Sequence, residues 1–77
     1  MHHLQLKRKM NLENILKTIA KTMPKGVEDK KLRAFLAVRL GFSNQKIEEY
    51  LGLLEDLGVI EKNNQGKWVL TGHREEL

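Results

Sequence analysis

Two short helices joined by a tight turn are predicted by residues 29–57, DKKLRAFLAVRLGFSNQKIEEYLGLLEDL. The apolar residues of this stretch recur mainly at intervals of three or four, which places each set on one face of a helix. The two sets are Leu32, Phe35, Leu36 and Leu40, followed by Ile47, Leu51, Leu54 and Leu57. Between them, Gly41 can take the left-handed conformation that ends a helix, Phe42 can fill the space between the helices, and Ser43 can cap the second one. Each apolar face can therefore be removed from water only by packing against the other.

The chain resembles winged-helix proteins around this turn, where Leu-Gly-Phe-Ser at 40–43 is followed by Ile47, Leu51 and Leu54. The resemblance extends over residues 11–71 and includes these segments: LGVI at 57–60 as the exit into a strand, KNNQG at 62–66 as the wing, and KWVL at 67–70 as the returning strand. It implies a mainly α fold with a small β-hairpin. The architecture would be a winged helix-turn-helix, with three helices and a two- or three-stranded antiparallel wing.

Three segments are expected along the chain. Residues 1–10, MHHLQLKRKM, have no clear period and are interpreted as a basic N-terminal arm or an extension of the first helix. Residues 11–71 form the winged-helix domain, and residues 72–77 form a tail. Within the domain, Asn11 is expected to cap a first helix that ends near Thr22, and Val27 to form a very short first strand.

The composition is that of one small soluble domain. The chain has 77 residues, of which 40% are apolar and 31% charged. It has no cysteine, which fits a reducing, cytoplasmic location. Its longest apolar run, Ala34–Val38, is five residues and cannot span a bilayer, and no secretory signal is visible in the first residues.

Charge is distributed unevenly along the sequence. Residues 1–46 carry eleven basic and three acidic side chains, a balance of +8, whereas residues 47–77 carry three basic and seven acidic ones, a balance of −4. The whole chain has a net charge of +4, which favours polyanionic partners. Any surface that binds an anion should therefore draw mainly on the first half.

The resemblance implies double-stranded DNA as the ligand, with the helix at 44–57 lying in the major groove. Asn44 and Gln45 suit adenine edges, Lys46 can reach guanine or phosphate, and Ser43 with the helix N-terminus can hold a phosphate. Glu49 can accept a hydrogen bond from a cytosine amino group. Phosphate or minor-groove contacts are expected from three further groups: Lys30, Lys31 and Arg33; Lys62, Asn63, Asn64 and Lys67 of the wing; and Lys7, Arg8 and Lys9. For the last two groups, ordinary solvated surface is an equally good interpretation.

A different class of function is indicated by the acids of the same helix. Glu48 and Glu49 stand where the family's DNA binders commonly have a small polar and a basic residue. The alternative is a winged helix that binds a protein through Glu48, Glu49, Glu55 and Asp56 with Leu53. RNA binding is a third possibility, but the sequence lacks exposed aromatic residues to stack unpaired bases. A small transcriptional regulator, acting as a homodimer on paired half-sites, is the preferred prediction.

Several packing roles are also expected. Phe35 and Val38 should be buried with Leu36, Tyr50 should be partly exposed, and Trp68 should cover the core with its indole N–H toward water. Arg39 is expected to extend from beside the core to solvent, to Glu49 or to a phosphate. Gly52, in mid-helix, has three interpretations: the close approach of a phosphate backbone, the close approach of a partner helix, or a neutral substitution without a role.

Catalytic chemistry is not expected. Ser43 is the single serine and is explained as a cap, no histidine is spaced to activate a nucleophile, and the six glycines are isolated. We therefore expect no enzymatic activity and no cofactor. His2 and His3 lack a third ligand, so a solvated tail or a remnant of an expression tag explains them better than a metal site.

Overall fold

A computed structural model describes residues 2–71 of the chain, with side chains from Lys7 onward. The elements, in chain order, are α1 (His2–Ala20), β1 (Val27–Glu28), α2 (Asp29–Arg39), α3 (Asn44–Asp56), β2 (Ile60–Lys62) and β3 (Lys67–Leu70). Three helices and a small antiparallel sheet confirm the predicted fold class, and β1 is the short strand expected at Val27. The predicted tail at 72–77 and the side chains of His2 and His3 lie outside the described residues.

The first helix begins ten residues before Leu12, the first helical residue that a cap at Asn11 predicts. α1 starts at His2, so the interpretation of Asn11 as an N-cap is wrong, because that residue lies inside the helix. Residues 2–10 are rich in Leu, Gln, Lys, Arg and Met, which have high helix propensities, and the helix extends back through them. Of the two interpretations of this segment, the extension of the first helix matches the structure at residues 2–10.

The turn between α2 and α3 has the predicted geometry. Gly41 has φ +71°, and the amide of Phe42 donates a hydrogen bond to the carbonyl of Leu36 at 3.1 Å. The hydroxyl of Ser43 accepts a hydrogen bond from the Lys46 amide at 3.2 Å, which caps α3. Phe42 is buried and its ring meets Tyr50 edge-on, with centroids 5.5 Å apart. Local sequence signals therefore fix this corner of the fold.

The sheet places the wing beside the start of α2. Its strand order is β1-β3-β2, with Val27 opposite Trp68 and Ile60 opposite Leu70. The wing loop turns on Asn63, whose side-chain oxygen accepts hydrogen bonds from the amides of residues 65 and 67, each at 2.9 Å. Since β1 runs directly into α2, the pairing of β1 with β3 holds the wing against the helix-turn-helix unit.

One hydrophobic core joins the three helices to the sheet. Its members are Leu12, Ile15, Leu16, Ile19, Leu32, Leu36, Phe42, Ile47, Tyr50, Leu51, Leu54, Val59, Ile60 and Trp68. Four expectations about burial are wrong: Phe35 is 38% and Val38 79% exposed, Leu57 is also exposed, and Tyr50 is buried. The apolar face of α2 is narrower than its sequence indicates, because only Leu32 and Leu36 of the helix are buried. In the described part of the chain, no helix is long and apolar enough to cross a bilayer.

Two glycine substitutions should have opposite effects on stability. A Cβ at Gly26, which has φ +87°, would lie 2.6 Å from Val69 Cγ1 and 2.7 Å from the Trp68 carbonyl oxygen. We expect Gly26→Ala to destabilise the fold by about 2–4 kcal/mol. A Cβ at Gly52 would meet nothing within 4 Å, so Gly52→Ala should stabilise α3 by about 0.5–1 kcal/mol. Urea unfolding followed by circular dichroism measures both, and a Gly26 variant as stable as the parent would contradict this packing.

Candidate nucleic-acid interface

The N-terminal turn of α3 presents polar side chains to solvent. Ser43, Asn44 and Gln45 are exposed, and the first turn contains no acidic residue. Lys46 is half-buried, with its ammonium group 5.8 Å from the centroid of the Phe42 ring. Glu49, one turn later, is exposed. The predicted base-reading residues therefore lie together on one accessible helix end, and the ring of Phe42 supports the lysine.

The basic part of α1 adjoins this helix. Asn11 donates a hydrogen bond from its side-chain amide to the hydroxyl of Tyr50 at 3.3 Å. Tyr50 in turn packs against Phe42, over which Lys46 lies. The cations Lys7, Arg8 and Lys9 are exposed and precede Asn11 by about one helical turn. At about 100° per residue, Lys7 and Arg8 lie on the same face of α1 as Asn11, whereas Lys9 lies on the opposite face.

An ion cluster links α2, α3 and the wing. Arg33 donates from Nε to both carboxylate oxygens of Asp29, at 3.0 and 2.9 Å, and from a terminal nitrogen to Glu48 at 2.5 Å. The ammonium group of Lys62 lies 3.9 Å from Asp29 and 5.2 Å from the ring centroid of Trp68. We call Asp29, Arg33, Glu48 and Lys62 the ion cluster. Its two cations and two anions cancel in formal charge.

The indole of Trp68 is part of the same arrangement. Its Nε1–H donates to Asp29 at 2.8 Å and the side chain is buried, so the expectation that this group faces water is wrong. Burial raises the pKa of Asp29, but hydrogen bonds from Trp68 and Arg33 and the charges of Arg33 and Lys62 outweigh it, and the pKa is lowered overall. Desolvation lowers the pKa of Arg33, whereas its bonds to Glu48 and Asp29 raise it, with a net increase. Both groups therefore keep their charges.

The remaining side chains that were predicted to contact phosphate differ in their exposure and in whether they already bind another group of the protein. Lys30 is exposed, and Lys31 is exposed with a weak ion pair to Glu28 at 3.8 Å. In the wing, Asn64 is exposed and Lys67 half-buried, whereas the Asn63 side chain is used to form the turn. Arg33 and Lys62 are held in the ion cluster. Arg39 is not paired to Glu49 among the described contacts and instead lies over the Phe35 ring, 5.8 Å from its centroid.

A shallow polar depression of about 180 Å³ separates α3 from the wing. It is lined by Arg33, Glu48, Leu51, Gly52, Glu55, Lys62 and Trp68. Gly52 contributes only a backbone to this surface, and no atom of the described chain approaches the position of a Cβ there within 4 Å. The packing of the domain itself therefore does not require this glycine.

Sequence reasoning missed the roles of Asp29, Glu48 and Trp68 in positioning the site. The spacing of Asp29 and Arg33, four residues apart on one helix, is a signal that could have shown their ion pair. The pairs with Glu48 and Trp68 join residues 15 and 39 positions apart, and no local spacing predicts them. Comparison with protein-family models, curated proteins and solved structures finds no match to the chain.

Removing the charge of Asp29 should reduce stability in a pH-dependent way. Asp29→Asn keeps an acceptor for the indole but loses the charge that holds Arg33 and Lys62, so we expect a loss of about 1–2 kcal/mol near neutral pH. Because the pKa of Asp29 is lowered on folding from its ordinary value of 3.8, its charge contributes fully to stability above that value, and the contribution is lost as the pH falls through the pKa of the folded state. The difference between parent and variant should therefore be constant above about pH 5 and shrink below about pH 4.

Urea titrations at several pH values test this expectation. The exposed residue Asp56 offers a matched control, because Asp56→Asn removes the same charge from α3 outside the ion cluster. Its effect should stay within about 0.5 kcal/mol. A difference between the parent and Asp29→Asn that persists undiminished at low pH would show that the carboxylate charge does not act through these contacts.

Proposed function

We propose that this protein binds double-stranded DNA as a small cytoplasmic transcriptional regulator. α3 enters the major groove, and the wing lies on the backbone or in the minor groove. The observation that carries the proposal is the exposed, acid-free first turn of α3, where Ser43, Asn44, Gln45 and Lys46 lie together. An exposed helix end with these side chains supplies what base reading needs.

The chemistry of this helix end suits a groove. The amides of Asn44 and Gln45 each offer a donor and an acceptor, the pattern that matches the adenine edge. The positive end of the helix dipole and its free backbone amides favour a phosphate beside Ser43. The ammonium group of Lys46 lies over the Phe42 ring, and this contact limits the freedom of the side chain and reduces the entropy lost when it contacts DNA.

The acidic side chains of α3 repel the phosphates of DNA less strongly than their number alone suggests. Glu48 is paired with Arg33, so the electrostatic repulsion of a phosphate by this carboxylate is largely compensated. Glu49 has no ion pair in the described part of the chain and remains available for a cytosine amino group. The second half of α3, with Glu55 and Asp56, would lie toward the outer edge of the groove.

Non-specific affinity would come from cations outside the ion cluster. Lys30, Lys67 and the basic turn at 7–9 have no acidic partner among the described ion pairs. Each phosphate they neutralise releases counterions and steepens the salt dependence of binding. A homodimer on paired half-sites would double this contribution and give the affinity that one small domain lacks.

A protein partner remains the alternative proposal. Glu49, Glu55 and Asp56 are exposed, Leu57 is 48% exposed at the end of the same helix, and Leu53 is half-buried. An apolar side chain beside unpaired acids is a plausible contact for a basic, partly apolar surface. Leu57→Asp changes this patch without touching a buried residue, so it should abolish partner binding while leaving DNA binding nearly unchanged.

Reversing the charge of Lys46 should weaken DNA binding strongly. We expect Lys46→Glu to lower the affinity for a duplex of about 30 base pairs by at least about tenfold at low salt, because one phosphate or base contact is lost and a repulsion is added. Lys17→Glu makes the same charge change on an exposed position of α1 and should reduce affinity less than about threefold. Fluorescence anisotropy across a salt series, with single-stranded RNA as competitor, measures both.

The slope of the salt series separates the possible outcomes. Duplex binding should show a slope near about −0.9 per phosphate contacted, and the slope for Lys46→Glu should be shallower by about one contact. Equal losses in the two variants would mean that only net charge matters and that α3 has no particular role. If the parent does not bind even at low salt, the proposal fails and the acidic patch becomes the first candidate.

A further inference from the structure

A second concave surface lies where the end of α1 faces β1 and the beginning of α2. Its volume is about 300 Å³, at the lower end of the range for small-molecule sites. Val27, Leu32 and Phe35 supply its apolar lining, and it is completed by Thr18 of α1, by Lys21 and Thr22 just after that helix, and by Lys31 of α2. We call this concavity the α1–α2 hollow. None of the residues assigned to base reading lies in it.

The lining of the α1–α2 hollow requires an apolar ligand body. The hydroxyl of Thr18 donates to the carbonyl of Asn14 at 2.8 Å, and that of Thr22 to the carbonyl of Ile19 at 2.6 Å. Both hydroxyl protons are therefore already used within α1. Phe35 remains 38% exposed at this site, although it packs beside the buried Leu32. An apolar group placed there would remove aromatic surface from water without leaving a donor unsatisfied.

Cations surround the same hollow. Lys21 is exposed and has no ion pair in the part of the chain that the structure describes. Lys31 has only a 3.8 Å pair with Glu28, and the two side chains are 77% and 59% exposed, so this pair is weak. The guanidinium of Arg39 lies over the Phe35 ring. The rim thus offers positive charge to a ligand whose body is apolar.

We propose that the α1–α2 hollow binds an amphipathic monocarboxylate, such as a short alkyl or arylalkyl acid of about ten carbons. The hydrocarbon part lies against Val27, Leu32 and Phe35, and the carboxylate meets Lys21, with Lys31 as a second contact. The site does not use α3, and it shares only Lys31 with the expected phosphate contacts. Three features define the class of ligand: an apolar lining, hydroxyl groups that already donate to backbone carbonyls, and two lysines at the rim, of which Lys21 has no described ion pair and Lys31 only a weak one.

Heteronuclear NMR titration with 4-phenylbutyrate tests the site directly, with neutral 4-phenyl-1-butanol as the matched probe. The acid should cause saturable shifts confined to residues of the hollow, and it should bind more tightly than the alcohol. Lys21→Gln should weaken binding of the acid about threefold and leave the alcohol unchanged. Lys17→Gln, one turn earlier on α1 and outside the hollow, should change neither.

A cavity-filling variant tests the contribution of the hollow to binding separately from the contribution of the lysine charge. Thr18→Leu fills the space from a half-buried helical position that leucine favours, so the protein should fold and lose binding of both probes. Linear, unsaturable shifts in the parent, or a Thr18→Leu variant that binds like the parent, would overturn the site. Equal binding of acid and alcohol, with Lys21→Gln unchanged, would overturn the assignment of an anionic ligand.

Discussion

The carboxylate of Asp29 is the polar contact that joins the start of α2 to the sheet and, through Arg33, to α3. It stands at the first position of α2, accepts the Trp68 indole from β3 and the Arg33 guanidinium from its own helix, and lies near Lys62 of β2. Arg33 then reaches Glu48 on α3. A half-buried carboxylate is tolerated because it is hydrogen-bonded and paired, and because the start of a helix favours negative charge. In a domain of this size, such a junction adds specificity that a small core alone supplies poorly.

The same junction determines which charges face outward. The basic first half of the chain suggested that Arg33 would meet phosphate, but its guanidinium is already bonded on two sides. Neutralisation within the ion cluster leaves the region between α2, α3 and the wing electrically balanced. Unpaired positive charge is found instead at Lys46 and along the first helix. The distribution of free positive charge on the described surface therefore follows from pairing within the fold rather than from the number of basic residues.

Local patterns in the sequence predicted the elements, whereas long-range contacts decided the roles of several side chains. The turn at Gly41, the cap at Ser43, and the strands around Val27 and Trp68 follow from short spacings and were predictable. The exposure of Phe35 depends on how α2 packs in the folded domain, and the indole partner depends on a pairing 39 residues apart. Neither the exposure of Phe35 nor the partner of the indole can be predicted from a short stretch of sequence. The early start of α1 was missed because a polar Asn11 resembles a cap but is used to contact Tyr50.

The arrangement of the sheet also affects how the protein behaves in a crowded solution. Both outer strands are short: β1 has two residues and β2 three, and they flank β3 on either side. The outer strands carry the charged residues Glu28, Glu61 and Lys62, all exposed. Short, charged edges offer few free backbone groups to a strand from another molecule, so they discourage edge-to-edge aggregation. A small domain with such edges can in this way reach a high local concentration without its sheets joining.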